Sequence, residues 1–160
     1  VGLGVGDQLS PALATSRFDW VLVPADFGLS TPQVFAELDR LRGEEGITVP
    51  EPTDVEPAIL AALRTGDAGG LSHLLVNDLQ RAAISVAPQL RDTLGWGDSH
   101  GALASIVSGS GPTIALLAPD VDRLVVDTGI DAGHGAQKTG LRRDAKNGRL
   151  GSLCDVDRIF

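Results

Sequence analysis

Two short apolar runs joined by a loop of small residues constrain the fold of this chain more than any other feature. The first run extends from Ala102 to Val107 and the second from Ile114 to Ala118. Each has the length and the apolar content of a β-strand. The loop between them, SGSGPT at 108–113, contains two glycines and a proline, which favour a tight turn. The sequence therefore predicts a β-hairpin at 102–118.

A further strand and several helices are predicted ahead of this hairpin. Alternating apolar residues predict a strand at 17–24. Thr31 is the expected N-cap of the first helix, with Pro32 behind it, and Asp54 is the expected N-cap of the second. Apolar residues at helical spacing predict four helices, at 31–43, 54–66, 70–86 and 88–94. This order predicts an α+β fold, an antiparallel sheet covered by helices on one face.

The composition of the chain changes near Asp120. Residues 1–120 contain no lysine, whereas Lys138 and Lys146 both follow that point. The segment 121–160 also lacks a sustained apolar period. We therefore interpret 1–120 as one folded domain and 121–160 as a divergent or frameshifted tail.

Charge and composition argue against several classes of partner and site. The net charge of −8 argues against nucleic acid, because neutralising phosphates requires clustered Lys and Arg. No apolar run approaches the roughly 18 residues of a membrane span. The single cysteine, Cys154, cannot form an internal disulfide, so we expect a reducing compartment, the cytoplasm. No histidine has a second His or Cys at metal-ligand spacing, so the sequence predicts no metal site.

The loop 108–113, called the glycine loop below, is a candidate phosphate site. Gly109 and Gly111 permit positive φ, so that successive N–H groups can converge on an anion. Ser108, Ser110 and Thr113 add hydroxyl groups. Such a loop can hold phosphate without a lysine. A plain hairpin turn rich in small residues is the alternative interpretation.

Two other motif interpretations fail on residue identity. A nucleophile elbow around Ser110 needs glycine where Ser108 and Pro112 stand. A P-loop ending at Lys138 needs glycine at Ala132 and Gln137. The sequence thus supports neither a serine hydrolase nor a P-loop nucleotide site.

Thr31 and Phe35 form a second candidate site. They lie four residues apart at the start of a predicted helix, so both can face the same side. A hydroxyl beside an aromatic ring suits a nucleobase, and the helix N-terminus favours an anion. Alternatively, Thr31 only caps the helix and Phe35 only packs in the core. Within the predicted third helix, Asp78 lies near the apolar side and is expected to need a structural hydrogen-bond partner.

Four segments together resemble the superfamily of galactokinase, homoserine kinase, mevalonate kinase and phosphomevalonate kinase, the GHMP kinases. IVSGSGPT at 106–113 is similar to the third conserved motif of that superfamily. Three others resemble segments of its 4-diphosphocytidyl-2-C-methyl-D-erythritol kinases: GLGVGDQL at 2–9, GLSTPQVF at 28–35 and LVNDLQ at 75–80.

The resemblance implies a C-terminal domain of that fold, with 1–9 a remnant of the N-terminal domain. It implies ATP- and Mg²⁺-dependent phosphorylation of the 2-hydroxyl of a cytidine diphosphate derivative, in non-mevalonate isoprenoid synthesis. Phe35 would stack on the cytosine, Thr31 would contact the substrate, and the glycine loop would lie by the phosphates. No catalytic residue falls in this chain, so we expect the chain alone to be inactive. A homodimer is compatible with this interpretation.

Two alternatives to this function stay open. The chain could belong to another GHMP kinase, of the homoserine or mevalonate type. It could also be a non-catalytic ligand-binding module, because a fold alone does not fix a function.

Overall fold

The structure, a computed structural model, describes residues 16–48 and 55–119, together with the backbone of strands in the flanking segments. The five helices of the described residues are α1 (Thr31–Glu45), α2 (Pro57–Thr65), α3 (Ala68–Ser72), α4 (Gln80–Val86) and α5 (Leu90–Ser99). The strands are β1 (Gly2–Leu3), β2 (Gln8–Leu9), β3 (Asp19–Val23), β4 (Ala104–Val107), β5 (Ile114–Ala118), β6 (Gln137–Gly140), β7 (Arg142–Arg143) and β8 (Leu150–Gly151). None of the helices in the described residues has the length and apolar character that crossing a membrane requires.

A four-stranded antiparallel sheet in the order β4-β5-β3-β6 forms the frame of the domain. The predicted hairpin is confirmed: β4 pairs with β5, and Val107 stands opposite Ile114 beside the glycine loop. Strand β3 pairs with the other side of β5, with Trp20 opposite Leu117. The hairpin therefore places the glycine loop at one end of the sheet, next to the end of β3.

Strand β6 comes from the segment that follows Asp120, for which the sequence analysis assigned no element. Its backbone pairs with β3 over four residues, from Asp19 opposite Gly140 to Leu22 opposite Gln137. One edge of the sheet is therefore built by this later segment. A domain boundary at residue 120 stays a prediction.

The core lies on both faces of β5. Leu116 belongs to one apolar cluster and Leu117 to another, and alternate residues of a strand point to opposite faces. The smaller cluster packs α2 and α3 through Ala62 and Leu71. The larger cluster packs α1, α4 and α5 through Val34, Ala82, Ala83, Ala87 and Leu90. The α+β class is confirmed. The prediction that helices cover only one face of the sheet is wrong, because β5 is apolar on both faces and α2 and α3 cover the face opposite to α1, α4 and α5.

Three helix boundaries differ from the predicted ones. Helix α1 continues past Gly43 and ends at Gly46, which takes the left-handed conformation with φ 64° and donates its N–H to Arg42 and Gly43 carbonyls. Helix α5 extends to Ser99, and Gly97 lies where it packs closely against the hairpin. Helix α2 begins at Pro57 with Glu56, rather than the predicted Asp54, as its N-cap, and it ends at Gly66 as predicted. Asp54 itself lies outside the described residues.

The predicted third helix, 70–86, is wrong in its middle. Helix α3 ends at Ser72 and α4 begins at Gln80, with turns between them. The physical reason is a set of long-range hydrogen bonds from Asn77 to the hairpin, which a continuous helix would not allow. Asp78 is exposed rather than buried, and its partner is Arg42 of α1 at 3.1 Å.

Charged side chains tie α1 to α4. Glu37 accepts hydrogen bonds from Arg40 on its own helix and from Ser85 on α4. Glu45 of α1 pairs with Arg81 of α4. The hydrogen bonds from Arg40 and then from Ser85 lower the pKa of Glu37 to about 2.

Alanine at Gly97 should destabilise the fold, whereas alanine at Gly95 of the same helix should not. A Cβ at Gly97 would lie 2.5 Å from both Leu116 Cδ2 and Ser105 Oγ, and Leu116 is fully buried. Such overpacking costs about 1–3 kcal/mol. A Cβ at Gly95 meets no atom within 4 Å and should stabilise the helix by up to about 1 kcal/mol. Urea unfolding of both variants measures the difference, and equal effects would contradict this packing.

The Glu37 contact should make stability depend on acid pH. Because folding lowers the pKa of Glu37 from 4.5 to about 2, its contribution is full above pH 4.5 and disappears as the pH falls towards 2. Thermal unfolding of the wild type between pH 6 and 2 should therefore show a steeper loss of Tm than that of Glu37→Gln. Asp39→Asn, an exposed acid on the same helix, is the control and should follow the wild type. Parallel curves for Glu37→Gln and the wild type would refute the role of this contact.

Candidate functional site

The two candidate sites from the sequence meet at one hydrogen bond. The hydroxyl oxygens of Thr31 and Ser110 lie 2.8 Å apart, although 79 residues separate them in the chain. Thr31 is the first residue of α1, and Ser110 lies at the tip of the glycine loop. The start of α1 and the hairpin loop therefore face each other directly.

In the first turn of α1, the N–H groups of Thr31 and Gln33 have no partner among the described residues, whereas Pro32 has no N–H group. The predicted N-cap Thr31 is wrong by one residue, because Ser30 is the N-cap and Thr31 is already helical. The side chain of Ser30 makes no capping hydrogen bond, and the first turn holds no acidic residue. The positive end of the helix dipole is thus neither capped by a side chain nor neutralised by a charge of this turn.

The glycine loop keeps its shape through two left-handed residues and two internal hydrogen bonds. Gly109 has φ 56° and Gly111 has φ 80°. The N–H of Gly111 donates to the Ser108 carbonyl, and the N–H of Ser108 donates to the Thr113 carbonyl, both at 2.9 Å. A Cβ at Gly111 would also lie 3.2 Å from Val107 and 3.3 Å from Leu29. Glycine at 111 is required by both conformation and space.

Within the described residues, two successive N–H groups of the loop have no partner, while three carbonyls at its start are paired. The N–H groups of Gly109 and Ser110 have no partner within the described part of the chain. By contrast, the carbonyls of Val107, Ser108 and Gly109 each accept a hydrogen bond from the protein. Successive free N–H groups beside a left-handed residue form the kind of concave nest that binds anions.

Asn77 and Gln80 hold the loop from the side of α4. The Nδ2 of Asn77 donates to the carbonyls of Val107 at 2.7 Å and Gly109 at 2.8 Å. The Oε1 of Gln80 accepts from the N–H of Val107 at 2.9 Å. Neither side chain was predicted to hold the loop. The signals in the sequence were the family-like segment LVNDLQ at 75–80, which contains both, and the polar pair Asn77-Asp78 inside an otherwise apolar helical pattern.

Phe35 is exposed next to this junction. It lies one helical turn after Thr31 on α1, and half of its surface is accessible to solvent. The alternative in which Phe35 packs in the core does not hold, since the buried residue of this helix is Val34. An exposed ring next to hydroxyl groups and free N–H groups can stack on a flat ligand that carries an anionic group.

A sequence model of a known family, described as GHMP kinases C terminal, matches residues 59–125. The match contains the glycine loop, Asn77 and Gln80. Residues 59–125 of this chain thus resemble the C-terminal domain of GHMP kinases.

Relatives of this chain bear the name 4-diphosphocytidyl-2-C-methyl-D-erythritol kinase. The protein of that name from Pseudarthrobacter chlorophenolicus is 72% identical over 120 residues, covering 75% of this chain and 38% of the relative. The one from Leifsonia xyli subsp. xyli is 51% identical over 125 residues, covering 76% and 41%. The one from Rhodococcus jostii is 50% identical over 139 residues, covering 87% and 44%. The chain thus spans about two fifths of the length of these relatives.

Solved structures agree with the GHMP kinase fold. A crystal structure of 4-(cytidine 5'-diphospho)-2C-methyl-D-erythritol kinase matches with a TM-score of 0.64 and 27% identity, over 86% of this chain and 47% of that one. The L. major mevalonate kinase in complex with R-mevalonate matches with a TM-score of 0.60 and 19% identity, over 81% and 44%, which shows the fold alone.

A cavity of about 430 Å³ lies beside the contact between Thr31 and Ser110 rather than at it. Its lining includes Asn77 and Gln80 but not Thr31, Phe35 or Ser110. Its remaining walls are Ser72, Leu75, Val76, Leu103 and the first three residues of the edge strand β4. Within the described residues, no group of three His, Cys, Asp or Glu side chains is placed to hold a metal ion.

The Thr31–Ser110 contact should be measurable as a coupling energy. Thr31→Val and Ser110→Ala each remove one hydroxyl and keep the side-chain shape approximately. Since both hydroxyls are near solvent, the coupling in a double-mutant cycle should be about 0.5–1 kcal/mol. Urea unfolding of the two single variants and the double variant gives this number. Strict additivity would show that the two hydroxyls do not interact in solution.

Proposed function

We propose that this chain forms the substrate side of a small-molecule kinase that phosphorylates the 2-hydroxyl of 4-diphosphocytidyl-2-C-methyl-D-erythritol. The observation that supports the proposal is the contact between Thr31 and Ser110, which joins the base-binding and phosphate-binding candidates into one site. The names of the relatives support the same substrate. The pathway would be the non-mevalonate synthesis of isoprenoid precursors.

The substrate has two parts that suit the two halves of the site. Its cytosine would stack on the exposed ring of Phe35, with Thr31 contacting the substrate beside it. Stacking of a base on an aromatic side chain contributes about 1–3 kcal/mol. The free N–H groups of Gly109 and Ser110 would face phosphate oxygens.

ATP would supply the phosphoryl group in the complete enzyme. The 2-hydroxyl oxygen of the substrate would form the bond to the γ-phosphorus while the bond to the β–γ bridging oxygen breaks, and ADP and the hydroxyl proton leave. Such transfer depends on positioning and charge stabilisation, to which donors of the glycine loop can contribute. The described residues offer no cluster for Mg²⁺, so we assign no Mg²⁺ ligand to them. We assign no catalytic residue to this chain either, and expect it to bind but not to turn over.

A GHMP kinase for another substrate is the second candidate. The similarity to mevalonate kinase supports the fold but not that substrate. A substrate such as homoserine or mevalonate has no flat ring, and would leave the exposed Phe35 unused. A non-catalytic binding module would use the same site without transfer. For either enzyme we propose a cytoplasmic location, in keeping with the single Cys154, and a homodimer stays a prediction.

Phe35 should determine binding of the cytidine part. Titration calorimetry of the chain with cytidine 5'-diphosphate should show binding, and Phe35→Leu should weaken it about 5- to 100-fold because the base loses its stacking partner. Val76→Ala, at another exposed apolar residue, is the control and should bind like the wild type. Homoserine should not bind detectably.

Two results would count against the proposal. Equal affinity of the wild type and Phe35→Leu for cytidine 5'-diphosphate would show that the base does not stack on Phe35. Binding of homoserine, without binding of the nucleotide, would favour the second candidate.

A further inference from the structure

We propose that Asn77 is a positioning residue that keeps the glycine loop in its donor-presenting shape. Its side chain acts on the loop carbonyls rather than on a ligand. The proposal rests on the proposed function only for the identity of the anion, a phosphate group of the substrate or of ATP. The shape of the loop itself can be tested without any ligand.

The amide of Asn77 is held from three directions. Its Nδ2 uses both hydrogens, one on the Val107 carbonyl at 2.7 Å and one on the Gly109 carbonyl at 2.8 Å. Its Oδ1 accepts the N–H of Leu79 at 3.0 Å. The oxygen end thus faces the start of α4 and the nitrogen end faces the loop, which fixes the orientation of the amide.

The two accepting carbonyls determine the polarity of the loop. An unpaired carbonyl at Val107 or Gly109 could rotate towards an approaching anion and repel it. Asn77 holds both carbonyl oxygens, while the N–H groups of Gly109 and Ser110 stay without a partner among the described residues. The neutral amide therefore occupies the two carbonyls that flank Ser108 and leaves the neighbouring N–H groups available to an anion.

The interruption between α3 and α4 brings Asn77 into this position. The chain turns between Ser72 and Gln80, and the N–H of Gln80 donates to the backbone carbonyl of Asn77 at 3.0 Å. Gln80 accepts a hydrogen bond from the N–H of Val107, and Asn77 donates one to the carbonyl of Val107. Side chains therefore pair both backbone groups of the buried Val107 that point away from β5. These two side chains therefore supply, at the end of β4, the hydrogen bonds that a neighbouring strand would otherwise form.

Asn77→Asp tests this role with almost no change of shape. The aspartate loses both donors and places a carboxylate oxygen against two carbonyl oxygens. Val76→Asp is the matched control, because it adds the same charge one residue away on a side chain that is 82% exposed and makes none of these contacts.

Amide hydrogen exchange on the unliganded chain decides whether Asn77 holds the loop. The reporters are the N–H groups of Ser108 and Gly111, which form the loop's own hydrogen bonds, and those of Leu116 and Leu117 in the buried strand. In Asn77→Asp we expect the two loop amides to exchange at least about 10-fold faster and the strand amides to stay within about twofold. Val76→Asp should leave all four unchanged. Unchanged loop amides in Asn77→Asp, or equal acceleration of loop and strand amides, would overturn the proposal.

Nucleotide titration then separates this role from the proposed function. Asn77→Asp should weaken binding of cytidine 5'-diphosphate about 10-fold or more relative to Val76→Asp, and leave binding of cytidine unchanged, because only the diphosphate uses the loop. If Asn77→Asp weakened binding of cytidine 5'-diphosphate and of cytidine equally, the claim that Asn77 acts on phosphate binding through the loop would be overturned. If the wild type binds neither ligand, the proposed function fails, while the exchange result still decides whether Asn77 shapes the loop.

Discussion

The complete burial of strand β5 organises the rest of the domain. All five of its residues are at most 5% exposed, so both faces of the sheet must be covered at this point. Helices α2 and α3 cover one face of β5, and α1, α4 and α5 cover the other. Strand β3 pairs with one edge of β5 and β4 with the other. The loop that enters β5 is consequently attached to the most completely buried strand among the described residues. A binding loop in this position can keep a defined shape without a ligand.

The same constraint explains why the start of α1 lies at the glycine loop. Val34, fully buried in the larger cluster, fixes the first turn of α1 against the sheet. Thr31 lies one turn earlier and therefore reaches the end of the hairpin, where Ser110 meets it. Phe35 follows Val34 directly and must point elsewhere, which leaves its ring exposed. Packing of one valine thus sets the positions of both candidate ligand-binding side chains.

Local patterns predicted the hairpin and most of the helices, because turn residues and apolar spacing act within a few residues. They failed where partners lie far apart in the chain. The break before α4 depends on a carbonyl 30 residues from Asn77, and no local spacing encodes that distance. Thr31 and the glycine loop were each identified from their chemistry, but their contact across 79 residues is a property of the fold. Failures of this kind arise where side chains serve long-range contacts instead of local propensity.

The proposed function asks an acidic domain to hold phosphate. With a net charge of −8 and no lysine in residues 1–120, the domain has no general positive field to attract phosphate. On the proposed function, this domain would attract phosphate through dipoles that act at hydrogen-bond distance. These are the loop N–H groups that have no partner among the described residues and the start of α1, which no side chain caps. A neutral amide that occupies the carbonyls of Val107 and Gly109 would then support anion binding without contacting the anion.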